Sequence, residues 1–169
     1  MVDFHVPDDA EFEKLVEELA LRLTARAWRL ATAESCTGGW IAKCCTDRAG
    51  SSAWFERGLV TYGYAAKVDA LGVDARTLEE AGAVSREIAL QMVEGARRSS
   101  GMNIAVAVTG IAGPGGGMPG KPVGTVWFGW SLKGQAPDAE VCCFSGDREA
   151  VRRQTVAHAL QGLIDRLTP

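Results

Sequence analysis

A serine followed closely by two glycines lies in the segment AESCTGG, residues 33–39, where a short apolar run gives way to a turn. Where a strand passes into a helix, the first backbone N–H groups are free and the helix dipole is positive, which favours an oxyanion. A hydroxyl on such a turn projects outward, and glycines let a substrate approach the backbone. Ser35 is therefore a candidate nucleophile. GxSxG is absent, however, and the pattern alone favours a plainer interpretation, in which Ser35 or Thr37 is an N-cap.

A serine nucleophile needs a base, and the chain contains only two histidines, His5 and His158. His5 lies near the N-terminus and His158 in the middle of a predicted helix, where a satisfied or exposed histidine is the commoner outcome. A partly desolvated lysine is the alternative base, because burial lowers the pKa of a lysine. Lys67, in the segment TYGYAAK, follows a predicted strand in an apolar, aromatic neighbourhood. An ordinary solvated helix lysine is the more frequent case, and spacing alone does not decide between them.

Glycine and proline dominate residues 111–120, IAGPGGGMPG, directly after the most apolar run of the chain. Ligands in open α/β sheets bind beyond the carboxyl ends of strands, and a glycine-rich loop there can offer N–H groups to a phosphate or a carboxamide. The segment is neither a Walker A motif nor a GxGxxG turn that opens a helix. A flexible connection is the alternative interpretation.

Three arginines, Arg148, Arg152 and Arg153, lie within about two turns of the last predicted helix. Guanidinium groups suit phosphate or carboxylate ligands. A positive cluster in a chain of formal net charge −3 indicates an anionic substrate. The alternative is a solvated helix face whose charges pair with Glu149.

The cysteines favour reduced thiols over disulfides or zinc. Their number is odd, two pairs are sequence neighbours, and CxxC and CxxH spacings are absent; the five are Cys36, Cys44, Cys45, Cys142 and Cys143. A disulfide framework and a structural zinc site are therefore not expected. We expect a cytoplasmic protein without a metal.

The composition is that of a soluble globular protein, with 47% apolar and 23% charged residues. No apolar run approaches the roughly 20 residues that cross a bilayer. The N-terminal segment lacks the pattern of a secretory signal, so we expect none. A net acidic chain also disfavours nucleic acid as a partner.

The elements that position these residues alternate between helical and strand patterns. Helices are predicted over residues 12–23, 36–45, 65–71 and 75–81, after an N-cap at Ser85, and after an N-cap at Asp147. Strands are predicted over residues 28–33, 58–62, 102–108, 123–130 and 139–144, the last two as a hairpin. This order predicts an α/β fold with three α/β/α layers and a mixed, mostly parallel sheet of about five strands including one hairpin.

Six segments together resemble the CinA C-terminal domain family: AESCTGGWIA, GSSAWFERGLVTYGYAAK, GAVS, AVTGIAGPGGG, KPVGTVWFG and FSGDREAVRRQ. They follow in the family's order and spacing from about residue 15 to residue 167. The stand-alone members of this family are nicotinamide mononucleotide deamidases, whereas longer members carry a further N-terminal domain. The resemblance implies a single domain over residues 1–169, with residues 1–9 as a loose lead-in.

The resemblance implies hydrolysis of nicotinamide mononucleotide to nicotinate mononucleotide and ammonia, in the pyridine nucleotide cycle of NAD salvage. By position, Ser35 would be the nucleophile, Lys67 the general base, and Tyr62 would assist them. Substrate-binding positions would be Glu34, Thr37, Gly38, Thr109, Gly110, Gly113 and Arg148. Backbone N–H groups of residues 36–38 would hold the oxyanion. The resemblance implies no cofactor and no metal.

Two other functions stay open at this point. One is a hydrolase with Cys36 as the nucleophile, because a thiol at a helix N-terminus has a lowered pKa, and with His158 as its base. The other is a catalytically silent module that binds a nucleotide. The expected partner is the small nucleotide substrate, without nucleic acid or membrane. A homo-oligomer, with a dimer favoured, is expected, and exposed tryptophans among Trp40, Trp54 and Trp127 would support it.

Overall fold

A five-stranded sheet forms the centre of the computed structural model, which describes residues 5–168. Its strands are β1 Leu30–Glu34, β2 Phe55–Val60, β3 Ile104–Gly110, β4 Thr125–Leu132 and β5 Asp138–Cys143, in the spatial order β2-β1-β3-β4-β5. β1 pairs in parallel with β2 and β3, whereas β4 is antiparallel to both β3 and β5. Every strand except β4 therefore runs in one direction, and the predicted mixed, mostly parallel sheet with one hairpin is confirmed.

Helices cover both faces of this sheet. They are α1 Asp9–Ala25, α2 Trp40–Asp47, α3 Tyr64–Leu71, α4 Ala75–Ala81, α5 Arg86–Ser100 and α6 Arg148–Arg166. α1, α2 and α6 share one hydrophobic core with the sheet, and α3, α4 and α5 share a second core with the other face. The predicted three-layer α/β/α arrangement is confirmed. None of the helices within residues 5–168 is long and apolar enough to cross a membrane.

The apolar run of β3 serves both cores because successive side chains of a strand point to opposite faces. Ile104, Val106 and Val108 pack with α1, α2 and α6, whereas the smaller Ala105 and Ala107 face α5. Small residues let α5 approach the sheet closely. At Gly129 of the neighbouring β4, a Cβ atom would lie 2.6 Å from the carbonyl oxygen of Ala89 in α5, so only glycine fits there.

Side-chain caps fix the starts of α1, α4, α5 and α6. The predicted N-caps are present, because Ser85 accepts a hydrogen bond from the amide of Ile88 and Asp147 from that of Ala150. α1 begins at Asp9 rather than at residue 12, since Asp8 and Glu11 form a capping box. The predicted lead-in over residues 1–9 is thus already helical at its last residue, and residues 1–4 lie outside the described residues.

The tryptophans give no support to an oligomer. Trp54 is buried, and Trp40 and Trp127 are half-buried, so none of the three has the exposure that would support a homo-oligomer. The homo-oligomer remains a prediction without this observation behind it.

Candidate active site

The turn after β1 carries Ser35 at the carboxyl end of the sheet. The Ser35 amide donates to the carbonyl of Val108 in β3 at 3.1 Å, so the residue is still attached to the strands. Gly38 and Gly39 then take φ values of 61° and 97°, in the left-handed region that glycine adopts without strain. These two residues make α2 begin at Trp40, four residues later than predicted.

Glu34 is fully buried beneath this turn and holds it in place. Its carboxyl group accepts hydrogen bonds from the hydroxyl of Thr37 at 2.7 Å, from the amide of Ile41 at 2.8 Å and from the amide of Ala42 at 3.0 Å. Burial raises the pKa of Glu34, although these donors act in the opposite direction. The resemblance implied that Glu34 and Thr37 contact the substrate; in the structure both side chains turn toward the start of α2, where they position the Ser35 turn.

Lys67 on α3 reaches the same turn from the other side. Its Nζ lies 2.9 Å from Ser35 Oγ, 2.6 Å from the carbonyl oxygen of Thr61 and 3.1 Å from that of Tyr62. These carbonyls are available because β2 ends at Val60, two residues earlier than predicted. The Lys67 side chain is fully buried, and this burial lowers its pKa to about 8. The structure therefore brings together two residues that are 32 positions apart in sequence.

The three acceptors around Lys67 determine where its lone pair points. An ammonium group has three N–H donors, one for each acceptor. After loss of a proton, two N–H groups remain for the carbonyls of Thr61 and Tyr62. The lone pair is then left for the hydroxyl proton of Ser35, which is the arrangement that a general base requires.

Tyr62 and Arg148 meet at the edge of this site. The Tyr62 side chain is exposed, and its hydroxyl accepts a hydrogen bond from Nη2 of Arg148 at 3.1 Å. Nη1 of Arg148 donates to the carbonyl oxygen of Gly113 at 2.8 Å. Tyr62 was expected to assist Ser35 and Lys67, and it contacts Lys67 through its backbone carbonyl rather than its phenol. Arg148 thus links the glycine-rich loop after β3 to the segment before α3.

The other predicted positions lie at the end of β3 and in the loop that follows it, and they hold the backbone in place. Thr109 is buried, and its hydroxyl donates to the carbonyl of Ala83 at 2.9 Å. A Cβ atom at Gly110 would lie 2.8 Å from the carbonyl oxygen of Thr125, and one at Gly113 would lie 2.5 Å from Val123 Cγ1. Glycine therefore lets the end of β3 lie close to β4 at residue 110, and lets the loop pass close to Val123 at residue 113.

Arg152, to which sequence analysis gave no separate role, holds the Ser35 turn from α6. Its Nε donates to the carbonyl of Cys36 at 3.1 Å and its Nη2 to the carbonyl of Thr37 at 3.0 Å. Its spacing of four residues from Arg148, on one helix face, was the available sequence signal. Arg153 instead pairs with Asp9 and Glu149 and so joins α6 to α1.

The backbone amides of the turn differ in their availability. The Gly38 amide donates to the carbonyl of Ser35 at 3.1 Å, so it is already engaged. Within residues 5–168, no hydrogen bond engages the amides of Cys36 and Thr37. The predicted oxyanion donors of residues 36–38 therefore reduce to two candidates.

The structure argues against a cysteine nucleophile. Cys36 is buried, and burial raises the pKa of its thiol to about 12, which corrects the expectation of a lowered value. Desolvation here outweighs the helix dipole. His158, the predicted base, lies 3.6 Å from the sulfur of Cys142 instead.

Comparison with known proteins agrees with this architecture. Residues 12–167 match the CinA C-terminal domain. The chain is 51% identical over 155 residues to the Escherichia coli K12 protein named nicotinamide-nucleotide amidohydrolase PncC, covering 92% of this chain and 94% of that one. The Pseudomonas putida protein of the same name is 55% identical over 136 residues, covering 80% of this chain and 84% of that one. A crystal structure of the competence/damage inducible protein CihA from Agrobacterium tumefaciens is 45% identical, with a TM-score of 0.90 over 98% of both chains. The chain therefore belongs to the CinA C-terminal domain family.

Proposed function

We propose that this protein hydrolyses the carboxamide of nicotinamide mononucleotide and releases nicotinate mononucleotide and ammonia, as a step of the pyridine nucleotide cycle. The observation that carries the proposal is the contact of 2.9 Å between Ser35 Oγ and the buried Nζ of Lys67. A lysine with a pKa of about 8 is partly neutral near physiological pH, so it can accept a proton. The relatives named nicotinamide-nucleotide amidohydrolase supply the substrate class.

The first half of the reaction forms an ester on Ser35. Ser35 gives its proton to Lys67 Nζ while its oxygen attacks the carboxamide carbon. The developing oxyanion accepts hydrogen bonds from the amides of Cys36 and Thr37; loss of one such donor costs about 3 kcal/mol in comparable sites. Lys67 then returns the proton to the leaving nitrogen, the carbon–nitrogen bond breaks, and ammonia departs.

The second half regenerates the enzyme. Lys67, neutral again, takes a proton from a water molecule that attacks the ester carbon. It then delivers this proton to Ser35 Oγ as the carbon–oxygen bond breaks, and nicotinate mononucleotide leaves. In each half one proton passes through Lys67, first from Ser35 to the leaving ammonia and then from water to Ser35, so the proposed chemistry needs neither a cofactor nor a metal.

Arg148 is the proposed contact for the phosphate of the substrate. It is exposed beside the dyad, and its partners, the carbonyl of Gly113 and the hydroxyl of Tyr62, are neutral. Within the described residues, Arg148 takes part in no ion pair with a carboxylate. A guanidinium in this state favours a phosphate. We also propose a cytoplasmic location, which the five free cysteines support, with the nucleotide rather than nucleic acid or a membrane as the partner.

Ammonia release from nicotinamide mononucleotide tests the proposal. We expect activity in the unmodified protein in the presence of a chelator, and a decrease of at least about a thousandfold in Ser35→Ala and in Lys67→Ala. Cys36→Ala is the matched control, because it alters the adjacent buried residue and leaves the dyad intact. Activity that survives both dyad substitutions, or that disappears only in Cys36→Ala, would overturn the mechanism. Binding of the nucleotide without ammonia release would instead identify a silent binding module.

A further inference from the structure

A second cluster of titratable side chains lies at β5, the edge strand of the sheet, where α6 packs against it. Glu140 and Cys142 are two residues apart, so they share one face of β5. His158 of α6 points toward them. Its Nε2 lies 3.6 Å from Cys142 Sγ and 3.3 Å from Glu140 Oε1, and Cys142 Sγ lies 3.7 Å from the same Glu140 oxygen. One sulfur, one nitrogen and one oxygen atom therefore converge on a single point.

The three separations match the edges of a zinc coordination tetrahedron. Zinc bonds of about 2.3 Å to sulfur and about 2.0–2.1 Å to nitrogen and oxygen give S···N and S···O edges of about 3.5 Å, and an N···O edge of about 3.3 Å. The separations at β5 agree with these edges to within about 0.2 Å, the tolerance expected of a metal site. The donor set of thiolate, imidazole and carboxylate is also the set that zinc prefers.

The surroundings hold the imidazole in this orientation. The His158 ring lies 4.6 Å from the Phe128 ring and 6.1 Å from the Phe144 ring, between centroids. Side chains of Glu140 and His158 retain 49% and 33% exposure, so an ion has a route from solvent. In a catalytic triad, the nucleophile and the carboxylate contact different ring nitrogens of the histidine. Here Nε2 faces both Cys142 and Glu140, so the cluster lacks the arrangement of a triad.

We propose that Glu140, Cys142 and His158 bind one Zn²⁺ ion, with water at the fourth position. On binding, the Cys142 thiol releases its proton to solvent and the thiolate coordinates the ion. The ion would join the edge strand β5 to α6. The sequence predicts no metal site by spacing, because CxxC and CxxH are absent and the spacing of Glu140, Cys142 and His158 resembles neither.

Metal titration of the whole chain after removal of metal by a chelator tests this site. We expect one Zn²⁺ per chain, measured by calorimetry. Cys142→Ser and His158→Phe should each weaken binding by at least about tenfold. His158→Phe keeps an aromatic ring beside Phe128, and so preserves packing. Cys143→Ser is the matched control, because this exposed neighbour lies on the opposite face of β5 and should leave binding unchanged.

Cobalt provides a signature that altered folding alone would not reproduce. Co²⁺ bound in this site should show a thiolate-to-metal charge-transfer band in the unmodified protein and in Cys143→Ser, but not in Cys142→Ser. Glu140→Gln, at an exposed position, should weaken zinc binding without loss of the band. The proposal is overturned if the unmodified protein binds no zinc, if Cys142→Ser binds zinc equally well, or if the band depends on Cys143. Because the proposed amidase reaction needs no metal, the ammonia-release assay and the zinc titration can succeed or fail independently of each other.

Discussion

Replacement of Lys67 by methionine removes the titrating amine from the core while keeping an unbranched side chain of similar length. The pKa of Lys67 is about 8 in the folded protein, against an ordinary value of 10.5 that we assign to the unfolded chain. Between these two values the unfolded chain binds more protons than the folded one, so the free energy of unfolding rises with pH. The whole pKa difference corresponds to about 3 kcal/mol in the free energy of unfolding. The free energy of unfolding should rise by about 2 kcal/mol of this amount between pH 7 and pH 9.5.

Urea unfolding of both proteins at pH 7 and pH 9.5 measures this increment. The free energy of unfolding of the unmodified protein, minus that of Lys67→Met, should increase by about 2 kcal/mol between the two conditions. Other groups, including the buried thiols, titrate in both proteins and cancel in the subtraction. Ser35→Ala is the control: it retains Lys67, so its stability should follow the unmodified protein across the same pH range.

A constant difference, within about 0.5 kcal/mol, would refute the reasoning. It would mean that the folded protein holds Lys67 at its ordinary pKa, as an ammonium group that donates to all three of its neighbours. Such a group offers no lone pair to Ser35, and the proposed general base would have to be abandoned.

Three further results follow from the same contacts. The value of kcat/KM for ammonia release should increase with pH and reach a plateau above an apparent pKa of about 8, because the proposed base Lys67 acts only when neutral. A profile that is flat between pH 6 and pH 9 would contradict this role. Arg148→Ala should raise KM for the nucleotide at least about tenfold, with partial recovery in Arg148→Lys, and an unchanged KM would remove the phosphate contact. Glu34→Gln should lower the free energy of unfolding by about 1–3 kcal/mol in chemical denaturation, because an amide N–H₂ would face the backbone N–H donors at the start of α2. Equal stability of the two proteins would show that the turn does not depend on the Glu34 carboxyl group.

Local patterns in the sequence were sufficient for the layers and for several helix starts. The alternation of helical and strand patterns predicted the sheet with helices on both faces, and Ser85 and Asp147 were recognised as caps from residue type and position. These features depend on neighbours within a few residues, so they leave a signal in a short window of sequence.

Apart from the pair of Ser35 and Lys67, which the family motifs implied, contacts between distant segments left no comparable signal. Arg152 lies 116 positions from Cys36, whose carbonyl it binds, and a solvated helix arginine would have the same sequence context. The resemblance implied that Glu34 binds the substrate, whereas the left-handed conformation of Gly38 and Gly39 brings the start of α2 over its carboxyl group. The convergence of β5 and α6 near His158 likewise depends on packing rather than on spacing.

In the proposed reaction, the carbonyl oxygens of Thr61 and Tyr62 also decide what kind of reagent Lys67 is. A neutral amine beside an acyl ester is itself a nucleophile, and its attack on the ester carbon would form a permanent amide that ends turnover. Two hydrogen bonds to fixed carbonyls direct the only lone pair at Ser35 Oγ, the ester oxygen, and away from the carbon. The choice of Lys67 Nζ between acting as a base and acting as a nucleophile therefore depends on the main-chain carbonyls of residues 61 and 62. Substitution of the side chains at these positions leaves both carbonyls in place.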